Sequence, residues 1–234
     1  MTQITAYNTT RARNFLVTTG DDIVKKYLVY IMGPFNYENT TELIGNLGAI
    51  VANLPQKPIY TQKSEIVSPY DIDKKNPYTD EDMPTIIDIF IASNGGDTRV
   101  LHDLSTLLSM AKMRGAIIRT TVMSAAYSSG SMLAIQGTPG YRIMSQNAEH
   151  LVHYGRITTD VYSTAHEELA TQEINLHKER LFSKYERYTN IPKRILNEVK
   201  RNRIDKILDA QKCLEYGVCD WILNENGTLQ GRTR

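Results

Sequence analysis

The chain has 234 residues, 41% of them hydrophobic and 23% charged, enough to bury one substantial core without disulfides or metals. Its formal net charge is +1, and Lys and Arg gather only in short runs such as Lys200, Arg201 and Arg203, which argues against a nucleic-acid partner. The two cysteines, Cys213 and Cys219, match neither a CxxC pair nor a secreted disulfide framework, so a reducing, cytoplasmic setting is expected.

Residues 1–20 are mostly polar, and their longest apolar run is Phe15-Leu-Val17, too short for the core of a signal peptide. No stretch approaches the ~20 apolar residues of a membrane span. Residues 25–35, KKYLVYIMGPF, read as a buried strand stopped by Gly33 and Pro34. Residues 40–54 carry Leu43, Leu47, Ile50, Val51 and Leu54 at helical spacing. From Pro55 to Thr85, Pro alternates with Tyr and acidic residues, no period survives, and the stretch reads as a long surface excursion.

Residues 86–92, IIDIFIA, read as a second strand, followed by the turn Ser93-Asn-Gly-Gly96 and a helix through Val100, Leu104, Leu108 and Ala111 that Gly115 ends. Residues 117–123 read as a third strand, and a helix is expected from about Met132. Short strands follow at 141–144 and 150–153, then a long polar helix over 159–187. Asp209 is placed to cap a last helix ending at Gly217, before a strand over 218–223. Alternation of strand and helix implies crossover connections and a largely parallel sheet.

The run Ser124-Ala-Ala-Tyr-Ser-Ser-Gly-Ser131 lies between a predicted strand and a predicted helix. A serine there meets the unpaired N–H groups of a helix start, which stabilise the oxyanion of acyl transfer. Small residues at such a place also simply let helix pack on strand. The Gly95-Gly96 pair frees backbone N–H groups to approach a reacting carbonyl, or makes an ordinary turn. Alternation puts His150 and His153 on opposite faces of their strand, so one of them is expected to face the site. His102, His166 and His177 read as solvated. No cluster has metal-ligand spacing, and no P-loop or dinucleotide fingerprint is present. Of the carboxylates after His153, Asp209 reads as a cap, Asp220 as part of a terminal strand and Asp160 as the start of the long helix. Asp205, within the apolar stretch Ile204-Asp-Lys-Ile-Leu208, is expected to be partly buried and to want a partner such as a histidine N–H.

Taken together, these motifs resemble the Clp protease proteolytic subunit family. Ile91-Ala-Ser-Asn-Gly-Gly96 is similar to the family's I-N-S-P-G-G, Ala126-Tyr-Ser-Ser-Gly-Ser131 to A-A-S-M-G-A, and Leu151-Val-His-Tyr-Gly155 to M-I-H-Q-P. The stretch Asp209 to Ile222 resembles the terminal motif S-A-x-E-A-x-E-Y-G-L-V-D-x-I. The spacing from serine to histidine equals the family's without a gap. The resemblance implies an α/β fold, a ClpP/crotonase-like spiral of ββα units with a protruding handle helix at about 159–187. It implies an N-terminal segment over 1–24, a peptidase domain over 25–223 with an insertion at 58–84, and a tail over 224–234. It also implies a serine endopeptidase with nucleophile Ser128, base Ser128's partner His153, and Asp205 holding the imidazole, with Gly96 and Ser129 N–H groups as the oxyanion hole and no cofactor. The expected substrate is peptide or unfolded protein, cleaved inside a chamber of stacked heptameric rings.

Departures from the family's pattern fall at Asn94, Tyr127 and Tyr154-Gly155, which reshape the groove without removing a catalytic group. Phe90 matches one member of an aromatic pair through which the family docks an ATP-dependent unfoldase, but Asp88 replaces the other. Two readings compete: a catalytically silent ring subunit, and a crotonase-type acyl-CoA enzyme, which shares the fold but has no need of Ser128 paired with His153.

Overall fold

The apolar runs become the middle of one sheet. In the computed structural model, residues 14–19, 26–56, 69, 84–155 and 164–232 are described, so most of the 58–84 insertion and the expected helix start at 159–163 lie outside them. The strands are β1 (Phe15–Thr19), β2 (Lys26–Ile31), β3 (Ile86–Ser93), β4 (Ile117–Ala126), β5 (Arg142–Ser145), β6 (Glu149–Val152), β7 (Lys206–Asp209), β8 (Trp221–Leu223) and β9 (Leu229–Gly231). The helices are α1 (Tyr37–Asn53), α2 (Thr98–Met113), α3 (Ser129–Ala134), α4 (Thr164–Tyr188), α5 (Lys193–Asn202) and α6 (Ala210–Glu215).

The sheet runs β1-β2-β3-β4-β5-β8-β9, and β6 branches off to pair with the end of β4 and with β7. Pairs from β2 through β8 are parallel, as is β4 with β6, while β1, β7 and β9 add antiparallel edges. The crossover helices cover the sheet, so β3 is buried on both faces and reads as a continuous apolar run. α1 presents Leu43, Leu47 and Val51 to the sheet and α2 presents Val100, Leu101, Leu104 and Leu108. Asn36 and Asp97 cap these helices through side-chain bonds to backbone N–H groups.

Four elements were not anticipated. β1 falls inside the segment read as an N-terminal extension, and β9 inside the tail. α5 turns Leu196 and Val199 inward with Ile195 partly buried beside them, and its other seven positions are polar or charged. β7 was read only as an apolar stretch. It is an edge strand paired with β6 alone, so Ile204 and Ile207 stay 45% and 60% exposed, and Asp205 is exposed too. The expected partial burial of Asp205 is therefore corrected: its apolar neighbours point outward along an edge instead of into the core.

Asp88 interrupts the apolar run of β3, and its register partner on β4 is Arg119. Their guanidinium and carboxylate meet in two hydrogen bonds, Nη2 to Oδ2 at 2.6 Å, with side chains only 7% and 5% exposed. Breaking such a pair from one side typically costs ~3–5 kcal/mol, because the other charge stays buried. The remaining Arg119 Nη1 donates to the Pro69 carbonyl at 2.9 Å, tying the insertion to the sheet.

His150 lies wholly inside, edge-on to Tyr185 with ring centroids 6.3 Å apart. Neither ring nitrogen has a hydrogen-bond partner among the described residues, and burial lowers its pKa to about 3. The folded chain thus refuses a proton that the unfolded chain accepts below about pH 6.5, so this residue's contribution is intact above that pH and declines as pH falls toward 3. Urea unfolding at pH 7 and pH 5 is expected to show His150→Leu losing about 2 kcal/mol less than the natural chain over that interval. An equal loss in both would show that His150 is not buried uncharged.

Candidate active site

Two tight turns meet at the carboxyl ends of β3 and β4. In the first, Ser93 Oγ donates to the Gly33 carbonyl at 2.6 Å and accepts from the Gly95 N–H at 3.1 Å. Gly95 has φ +91° and Gly96 φ +142°, and a Cβ on Gly95 would stand 2.5 Å from Ser128 Cβ and 2.7 Å from the Tyr127 carbonyl oxygen. Only glycine permits both the backbone turn and this approach. The Gly95 carbonyl accepts from the Phe35 N–H at 2.9 Å. Because the peptide is planar and trans, that bond turns the Gly96 N–H the opposite way.

In the second turn, Ser128 sits between β4 and α3 with φ 54° and ψ −121°. Among the described residues only it and Arg203 hold positive φ without being glycine. A serine so held, at a strand-to-helix turn, has its hydroxyl thrust out of the sheet, and such strain collects at functional sites. The backbone thereby separates Ser128 from the neighbouring serines of the run. Ser129 and Ser131 are buried, Ser129 Oγ donating to the Gly96 carbonyl at 2.8 Å. A Cβ on Gly130 would come within 3.0 Å of the Ser93 carbonyl oxygen. Residues 129–131 allow close packing, and Ser128 lines the cleft. As the first residue of α3, Ser129 has an N–H without an intrahelical acceptor.

The histidines divide as alternation suggested: His150 is core, and His153, just past β6, is half-buried at the cleft. The cleft is lined by the polar Gly96, Ser128, Ser129 and His153 and by the apolar Leu101, Met132, Leu181 and Phe182. Tyr154 closes one end. Its hydroxyl donates to Glu179 at 2.6 Å, Glu179 pairs with Lys200 at 2.5 Å, and the Arg203 guanidinium lies 4.4 Å from its ring centre. Tyr127 is tied by its hydroxyl to Glu149.

Of the carboxylates after His153, Asp209 caps α6 by accepting from the Lys212 N–H at 2.7 Å. Asp220 is held by Arg142, Nη2 to Oδ1 at 2.6 Å, and by the Gly140 N–H at 2.8 Å. Asp160 lies outside the described residues. Asp205 immediately precedes β7, whose Lys206 is the register partner of Val152. That is the last pair of the ladder, and Asp205 and His153 are the residues next to it on the two chains. Asp205 is also near enough to Tyr185 for its charge to add to the burial that raises that phenol's pKa.

The Clp protease family model matches residues 78–226, which contain both turns, the histidine and Asp205. The chain belongs to the Clp protease family. It is 30% identical over 139 residues to the ATP-dependent Clp protease proteolytic subunit 4 of Streptomyces avermitilis, covering 59% of each chain. It is 29% identical over 138 residues to proteolytic subunit 2 of Streptomyces coelicolor, 58% of this chain and 61% of that one. Against the proteolytic subunit of Streptococcus uberis it is 34% identical over 116 residues, 47% of this chain and 55% of that one. The chain thus spans about three fifths of the length of the first Clp relatives it matches. Its fold is the ClpP/crotonase-like α/β fold, with α4 in the place of the family's handle. No described helix is long and apolar enough to cross a membrane.

Sequence reasoning missed Tyr185, which stands behind the site on α4. Nothing in the sequence distinguishes it from Tyr188 on the same helix.

Proposed function

We propose that the chain is a serine endopeptidase subunit that cleaves peptides or unfolded polypeptides through an acyl-enzyme. Ser128 Oγ attacks the carbonyl carbon, and His153 takes the serine proton and returns it to the leaving amine. Asp205 holds the imidazole tautomer, and the N–H groups of Gly96 and Ser129 receive the developing oxyanion. Water then repeats the attack on the acyl-serine with His153 again as base. The observation that carries this reading is the strained backbone of Ser128, opening on the cleft that His153 also lines. An exposed Asp205 orients the imidazole through solvent-screened contact, so its removal costs less than removal of the serine or histidine.

A silent subunit has no use for a strained serine beside a histidine, and a crotonase-type enzyme needs the backbone donors but not that pair. For assembly we propose homo-oligomeric stacked rings. Leu176, 50% exposed on α4, and Ile207, on the open edge of β7, are apolar groups that a second copy would cover. Docking of an ATP-dependent unfoldase through a standard aromatic pair has little support here: Phe90 stacks on Tyr30 with centroids 5.0 Å apart, while Asp88 is committed to Arg119 and, through it, to Pro69.

A serine-directed phosphonate is expected to label the purified protein on Ser128, located by mass spectrometry of its peptides. His153→Ala is expected to slow labelling by about 10²–10⁴-fold, the usual worth of a general base. Labelling on another residue, or unchanged in Ser128→Ala, refutes the assignment. Native mass measurement at micromolar concentration is expected to give a multiple of the subunit mass; a single subunit throughout would refute the ring.

A further inference from the structure

Tyr185 is fully buried on α4, yet its hydroxyl serves two separate parts of the site. The hydroxyl has a single proton: because Ser131 gives its own proton to the Ser128 carbonyl, the phenol donates to Ser131 Oγ at 2.9 Å, stands 3.1 Å from the Leu151 carbonyl, and accepts at its oxygen from the backbone of His153. Ser131 Oγ in turn donates to the Ser128 carbonyl at 2.7 Å, which also accepts from the Met132 N–H at 3.1 Å.

These bonds have a directional consequence. The Ser128 carbonyl and the Ser129 N–H belong to one planar trans peptide and point opposite ways. Fixing the carbonyl inward with two donors fixes the N–H outward, toward the cleft. On its other side the same phenol holds the chain from Leu151 to His153, which carries the imidazole. We propose that Tyr185, acting through Ser131, is a positioning residue that sets the Ser129 oxyanion donor and the His153 base in register with each other. The inference rests on the peptidase reading above. The family's A-A-S-M-G-A pattern has alanine where this chain has Ser131, so the link belongs to this chain's departure from the pattern.

Burial raises the phenol's pKa far above the working range, so it remains a neutral donor throughout. Its ring meanwhile packs edge-on against Phe182 and His150, at 5.6 Å and 6.3 Å between centroids, a contact that phenylalanine would keep. The hydroxyl and the ring can therefore be tested separately.

The test measures kcat and KM on a short fluorogenic peptide, with phosphonate labelling of the serine, for the natural chain, Tyr185→Phe, Ser131→Ala and the double variant. Misaligned donors weaken transition-state binding and leave ground-state binding alone. Each single variant is expected to lose kcat on the order of ten-fold with KM changed less than about two-fold. The double variant is expected to fall no further than the worse single, because both remove one link. Unchanged kcat, a loss carried in KM, or losses that multiply in the double variant would each overturn the proposal. Ser131→Ala decides alone if Tyr185→Phe does not fold. A natural chain that neither hydrolyses the peptide nor takes the label overturns the peptidase reading itself, a result distinct from active enzyme with silent variants.

Discussion

The site depends on one close approach, that of Gly95 to Ser128. β3 and β4 are parallel neighbours, so their carboxyl ends lie side by side, and the turn leaving each must share the same small space. A missing Cβ at Gly95 creates that space, and Ser128 occupies it by accepting a backbone conformation that serine ordinarily avoids. Everything chemical follows from the sharing. The Gly95–Gly96 peptide and the Ser128–Ser129 peptide each have their carbonyl tied back into the fold, leaving two N–H groups beside one serine hydroxyl. The sheet holds this arrangement through Ser93, which bonds Gly33 behind and Gly95 ahead.

The proposed base arrives by a different route. β6 leaves the main sheet at the end of β4, pairs with it for only two residues, and carries His153 past the serine turn. A strand so briefly attached needs outside support. It receives this from β7 on one side and from the Tyr185 hydroxyl of α4 on the other. The long helix is therefore joined to the site by hydrogen bonds as well as by apolar packing of Leu181 and Phe182, and a displacement of α4 would be felt at the base.

Much of this was legible in the residues. β3 is an apolar run broken by Asp88, and the first six residues of β4 are apolar or β-branched apart from Arg119, because both faces are buried there, while α1 and α2 show a clear period because only one face of each is. The glycine pair and the serine run could be placed at strand ends, and the order of motifs fixed the family. What the sequence withheld had physical causes. α5 is short and packs through Ile195, Leu196 and Val199 alone, a three-residue apolar signal among seven polar or charged positions. Asp205 sits among apolar residues that run along an open edge, so neighbourhood in sequence misreported its burial. Asp88 looked like a lost aromatic, and only the fold reveals that Arg119 lies opposite it and reaches on to the insertion. The resemblance alone singled out Ser128 from among four serines, and the positive φ that sets it apart from them is a backbone property that composition cannot express.

The central claim is that Ser128 does covalent chemistry on a peptide bond. The rate at which the purified natural chain and Ser128→Ala hydrolyse an unstructured peptide, followed by the appearance of new amino termini, tests it most directly. The account predicts measurable turnover by the natural chain and a fall of about 10⁴-fold or more in the variant, as expected when a nucleophile is removed from a cooperating set. Equal rates in the two proteins would contradict it.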